Sequence, residues 1–92
     1  MADEPRPFSR SAPWSLSDEV SLRDESFGAL AYHHGTRRLV FVKSPALVDV
    51  LRRLGEYHSV DDALCALVEP AEHDRFANAL ESLARSEILS GR

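Results

Sequence analysis

The sequence predicts a segregated α+β domain, a three-stranded antiparallel sheet followed by three helices. Residues 19–43 fall into short apolar or alternating runs separated by turn residues. From Ser44 onward the apolar residues recur at helical spacing. Serines at 44 and 59 and prolines at 45 and 70 then divide that half into three helices. A chain of 92 residues is one domain at most and buries a modest core.

Residues 1–13 hold Pro5, Pro7 and Pro13 among polar and charged neighbours, so they are expected to form a flexible N-terminal tail, with the folded domain over 14–92. Trp14 and Leu16 anchor its beginning. In Glu19–Glu25 the pattern EVSLRDE alternates, with Val20 and Leu22 inward and Ser21 and Arg23 outward, which predicts the first strand. "FGALAYHH" supplies the second, with Leu30 and Tyr32 on one face, and Gly35 provides the turn into "TRRLVFVK", the third. This third strand is apolar on both faces, Leu39 with Phe41 and Val40 with Val42. Alternation alone does not say which pair faces the core.

Ser44-Pro45 is an N-cap followed by proline at the first helical position, and Leu47, Val48, Val50, Leu51 and Leu54 then predict a helix over about 45–54, ended by Gly55. Ser59, with Asp62 three residues on, caps a short helix over about 60–68 whose buried side is Ala63, Leu64, Leu67 and Val68. Cys65, inside that helix, reads as a buried inert thiol. Pro70 opens the last helix, about 71–86, with Glu69, Glu72 and Asp74 at its positive end and Phe76, Ala77, Leu80, Leu83 and Ala84 as its apolar stripe. Ile88 and Leu89 fold back to seal the core.

Composition narrows the function. No apolar run approaches the roughly 20 residues needed to span a bilayer, and the N-terminus lacks a hydrophobic signal core, so a cytoplasmic chain is expected, with no membrane partner. One cysteine allows no internal disulfide and no cysteine-held zinc or iron–sulfur site. His33 and His34 point to opposite faces of a strand, and His58 and His73 have no chelating spacing, so surface histidines are the expected reading and no metal is predicted. There is no Gly-rich phosphate loop, and nothing positive supports an enzyme.

Three helices beside a small sheet also describe a winged helix–turn–helix, which keeps a DNA-binding regulator as the alternative reading. Charge weighs against it. Net charge is −4, with Arg37, Arg38, Lys43, Arg52 and Arg53 concentrated in residues 36–53 and seven acids against two arginines in residues 59–87. Both candidate recognition helices are therefore acidic, whereas phosphate binding needs cations. The other reading is an interaction module. A third strand at the sheet edge offers unpaired N–H and C=O groups to an extended peptide, unless the chain covers that strand itself.

The stretch "SFGALAYHHGTRRLVFVKSP", with Trp14 upstream and "ALVDVLRRL" downstream, resembles the PqqD-like family of precursor-peptide recognition domains, in its mycofactocin-pathway branch, over about residues 14–89. The resemblance implies a winged helix–turn–helix-like fold that binds no nucleic acid. It implies that the chain holds the leader of a ribosomally made precursor peptide and presents it to a radical SAM maturase, which modifies the peptide's C-terminal Val-Tyr by oxidative decarboxylation and then crosslinking. Cluster and SAM would belong to that enzyme, and this chain would carry no cofactor. In the family the leader adds antiparallel to the third strand, in the groove beside the third helix. Carried over, the rail is Arg38, Leu39, Val40, Phe41, Val42 and Lys43, and the helical wall is drawn from Arg75, Phe76, Ala79, Leu80 and Leu83.

Overall fold

A computed structural model describes residues 7–91. Strands β1 (Trp14–Leu16), β2 (Val20–Glu25), β3 (Gly28–His33) and β4 (Leu39–Val42) come first. Helices α1 (Pro45–Arg53), α2 (Val60–Leu67) and α3 (His73–Arg85) follow, and a last short strand, β5 (Leu89–Gly91), closes the chain. The α+β reading and the three-stranded antiparallel sheet, ordered β2-β3-β4, are as expected. A second sheet was not foreseen. It pairs β1 with β5, Trp14 opposite Gly91 and Leu16 opposite Leu89, so the two ends of the domain close on each other.

The sheet turns one face to the helices. Val42 and Val40 of β4 lie opposite Ala29 and Ala31 of β3, and Ala31 lies opposite Leu22 of β2. Because directly opposed residues share a face, these make the inner side. Ala29, Ala31 and Val42 are buried, and the two alanines on the central strand leave room for α1 to pack against β3. Leu30 and Tyr32 share a face as expected, but it is the outer one. Behind the sheet Leu51, Leu54, Leu64, Leu80 and Ile88 fill the core. Burying side chains of this size stabilises by roughly 1.5–3 kcal/mol each.

The helix ends follow the sequence closely. Ser44 Oγ accepts from the Leu47 N–H at 3.1 Å, and Ser59 Oγ from the Asp62 N–H at 3.0 Å, each satisfying one orphan donor of its helix. Several expectations need correction. Gly55 does not end α1; a 3-10 turn over Leu54–Glu56 carries the chain through it. Pro70 opens another 3-10 turn, Pro70–Glu72, and α3 begins at His73. Cys65 is exposed, because a two-turn helix buries only the side carrying Val60, Ala63 and Leu64.

Of the expected tail, residues 1–6 lie outside the described residues. Residues after them are tied to the domain. The Phe8 ring stands 5.3 Å from that of Trp14. Arg10 reaches Asp61 and Asp74 at 2.9 Å each, and its carbonyl accepts from the Asp61 N–H at 2.9 Å.

His33 explains the β3–β4 turn. It is buried, and its Nδ1 accepts from the N–H groups of Gly35 and Thr36 at 3.1 Å each. The backbone closes with the His33 N–H donating to the Arg38 carbonyl at 2.9 Å, while Arg37 takes the left-handed conformation at φ 64°. His33 is therefore a turn-holding core residue and His34 an exposed one.

Gly28 fixes where β4 leaves the sheet. Its φ is +147°, and a Cβ there would stand 2.1 Å from the Val42 carbonyl oxygen and 2.9 Å from the Ser44 nitrogen. Only glycine fits so close a backbone crossing. Gly28→Ala is expected to lower stability by more than ~1 kcal/mol, seen as a shifted urea midpoint, whereas Gly55→Ala should change it far less.

Candidate functional site

β4 sits at the edge of its sheet, paired with β3 on one side and, among the described residues, with no strand on the other. Its register decides what that edge presents. The bond from the His33 N–H to the Arg38 carbonyl makes those two a hydrogen-bonded pair. Antiparallel pairs alternate, so Ala31 with Val40 and Ala29 with Val42 are hydrogen-bonded pairs too. Leu39 and Phe41 therefore direct their N–H and C=O groups to the open side. They also carry the outward side chains, 52% and 57% exposed.

The edge runs into a pocket. Directly after β4, Ser44 and Leu47 at the start of α1 meet Arg75, Phe76 and Ala79 of α3 around a hollow of about 50 Å³. The α1 cap and the α3 stripe place these residues for structural reasons: Leu47 is the first inward residue after Ser44, and Phe76 is the first buried residue of α3. Arg75 forms the rim, ion-paired with Glu72 and with its guanidinium carbon 5.3 Å from the Phe76 ring centroid.

The residues expected at the site thus separate. Arg38, Leu39, Phe41 and Lys43 are exposed along the edge; Val40 is half-buried and Val42 buried, both on the inner face. Arg75, Phe76 and Ala79 line the pocket. Leu80 is fully buried and Leu83 nearly so, which leaves their side chains in the core and away from that pocket. Sequence alone marks Ser44 and Leu47 only as a cap and a core position. The sequence signal that could have flagged them is their place immediately after the edge strand.

Charge singles out the same strand. Among the described residues Arg10, Arg23, Arg52, Arg53, Arg75 and Arg85 each hold an ion pair. Arg37, Arg38 and Lys43, at the two ends of β4, hold none. A row of unspent cations along an open edge attracts carboxylates, and it also keeps a second edge of the same kind away. No cluster of three or more His, Cys, Asp or Glu among the described residues could hold a metal ion, and no helix among them is long and apolar enough to cross a membrane.

Fold and edge together define a small α+β domain with an open cationic strand beside an apolar pocket. The sequence matches the family model described as the Peptide chaperone MftB family over residues 13–90, and the chain belongs to that family. It is 42% identical over 77 residues to the peptide chaperone MftB of Mycobacterium ulcerans, covering 83% of this chain and 71% of that one. To the peptide chaperone MftB of Mycolicibacterium smegmatis it is 37% identical over 83 residues, 89% and 81% of the two chains. To that of Mycobacterium tuberculosis it is 39% identical over 80 residues, 86% and 73%. No solved structure matches the chain.

The register makes a direct prediction. In the free protein the amides of Leu39 and Phe41 should exchange with solvent at least ~10-fold faster than those of Val40 and Val42, as followed by hydrogen exchange in NMR spectra. Equal protection of all four would place something on the edge.

Proposed function

We propose that this chain is a peptide chaperone that binds the leader of a ribosomally made precursor peptide along β4 and presents it to a radical SAM maturase. The observation that carries the reading is the open edge at Leu39 and Phe41 running into the pocket of Ser44, Leu47, Arg75, Phe76 and Ala79. Membership of a family whose curated relatives are named peptide chaperones supports it.

The mechanism is binding without chemistry. A leader adding antiparallel to β4 takes main-chain hydrogen bonds from Leu39 and Phe41, which hold any extended sequence. Side chains supply the selection. Alternate leader residues turn inward toward Leu47, Phe76 and Ala79, so an apolar residue is favoured there, and the intervening ones lie beside Leu39 and Phe41. Arg37, Arg38 and Lys43 favour a leader carrying acids, chiefly by speeding encounter. Ordering a flexible leader costs on the order of 2–5 kcal/mol, which keeps affinity moderate and the complex reversible. Release after modification needs that reversibility. No cofactor enters these steps, and the domain taking the peptide is residues 14–92, against which Phe8 and Arg10 pack.

The test is an amide chemical-shift titration with the precursor peptide, in which residues 38–43 and the pocket residues should move first. Ala79→Trp fills the pocket from a half-buried helix position and should cost at least tenfold in leader affinity, ~1.4 kcal/mol, with an unchanged melting curve. Lys43→Glu should slow association and flatten its salt dependence. Absence of peptide-induced shifts in the wild-type chain overturns the reading, as would strong, salt-sensitive shifts with duplex DNA, the signature of the regulator alternative.

A further inference from the structure

The outer face of the three-stranded sheet is also unaccounted for. Phe27, Leu39 and Phe41 are the large hydrophobic residues exposed among those described, and they sit together. Phe27 follows β2 in the short turn into β3, and its ring centroid is 6.0 Å from that of Phe41. Phe41 lies opposite Leu30, Leu39 opposite Tyr32, and Leu30 opposite Arg23, so all share the side away from the helices. Tyr32 is held edge-on to His34, with ring centroids 4.9 Å apart. None of this packing serves the core. A domain this small has few large apolar residues, and leaving three aromatics and two leucines on one open face is a mark of an interface.

A leader strand does not cover this face. It adds in the plane of the sheet, beside β4, so exposed Phe27 and the half-buried Leu30 and Tyr32 gain no cover when the edge is filled. We infer that the outer sheet face, centred on Phe27, Leu30, Tyr32, Leu39 and Phe41, docks the peptide-modifying enzyme while the β4 edge holds the peptide. The inference rests on the function proposed above.

The rim chooses the occupant. Lys43 lies at one end of β4, just past Val42, and Arg37 and Arg38 precede Leu39 at the other, all without an ion pair among the described residues. Arg23 stands at the β2 side, 80% exposed, paired with Glu25. Two copies meeting face to face would set these cations against each other, so a second copy is disfavoured. A folded partner with an apolar patch and surrounding carboxylates is favoured. The composition is that of a protein interface, with aromatic residues at the centre and charge at the rim. Both ligands then share β4, one using its backbone and the other its outward side chains. A strand added beside β4 extends the face the enzyme touches, which places the peptide at the enzyme's surface.

Phe27→Glu and Arg23→Glu test this without substituting any residue of β4. Peptide affinity and affinity for the radical SAM enzyme acting on that peptide are measured separately, the second with loaded and with empty chain. Both variants should bind the peptide as the wild type does and lose at least ~10-fold in affinity for the enzyme. Should Phe27→Glu lower the melting temperature, the exposed Arg23→Glu change decides. Wild-type enzyme affinity in both variants overturns the inference, as does failure of the enzyme to bind wild-type chain in either form. Failure of the peptide arm alone overturns the edge reading instead, and the empty-chain arm still decides the face.

Discussion

Burial of Val42 against the helices sets the phase of β4, and that phase determines everything the strand offers. Once Val42 and Val40 point inward, Leu39 and Phe41 must point outward. The bond between the His33 N–H and the Arg38 carbonyl fixes the other half of the geometry, because it turns the backbone of those same two residues to the open edge. Slipping the register by one residue would exchange both faces at once. Gly28 guards against that slip: the close crossing of its backbone over Val42 and Ser44 admits no side chain. Turn, crossing and core thus hold a four-residue strand in one register, and the pocket begins where the strand ends.

Much of this was legible in the sequence wherever a local signal coincided with a tertiary demand. The caps at Ser44 and Ser59 mark two helices because apolar spacing and capping chemistry agree there, and the stripe from Phe76 to Ala84 marks the third by spacing alone. The two-faced run Leu39–Val42 flagged the strand that matters but not its phase. That was decided by Ala29 and Ala31 across the ladder, small residues that do not announce a core face on their own. β1 and β5 escaped because three residues have no period, and because their pairing joins segments about 75 positions apart in the sequence. Arg10 escaped for the same reason, its carboxylate partners lying 51 and 64 positions away. At the candidate site, Ser44 and Leu47 also perform structural roles that hide them in the sequence, and Leu80 and Leu83 lie on the buried side of a helix whose rotation only packing sets.

Net charge describes this protein poorly. The total is −4, yet among the described residues six arginines are spent on acids within the fold, and the three cations that are not lie at the ends of one strand. Exposed ion pairs contribute little stability, a median of about 0–1 kcal/mol, so their larger effect here is to leave the field around β4 positive on an acidic molecule. That field acts over about 8 Å at physiological ionic strength, far enough to reach both the edge and the outer face.

An open edge strand carrying exposed Leu39 and Phe41 is ordinarily an aggregation hazard, and natural sheets blunt such edges with lysine, proline, bulges or a covering segment. β4 has the charges but no proline, and among the described residues no strand pairs with its open side. Arg37, Arg38 and Lys43 discriminate between partners without closing the edge: another copy of β4 meets repulsion, and an extended chain bearing carboxylates does not. Protection and selection then come from the same three side chains. A bulge or a proline in β4 would have guarded the edge equally well, but it would have removed the main-chain rail. Charge is the one protective device that leaves the backbone of Leu39 and Phe41 available, which is why an edge kept open by cations alone fits a strand meant to be completed by another molecule.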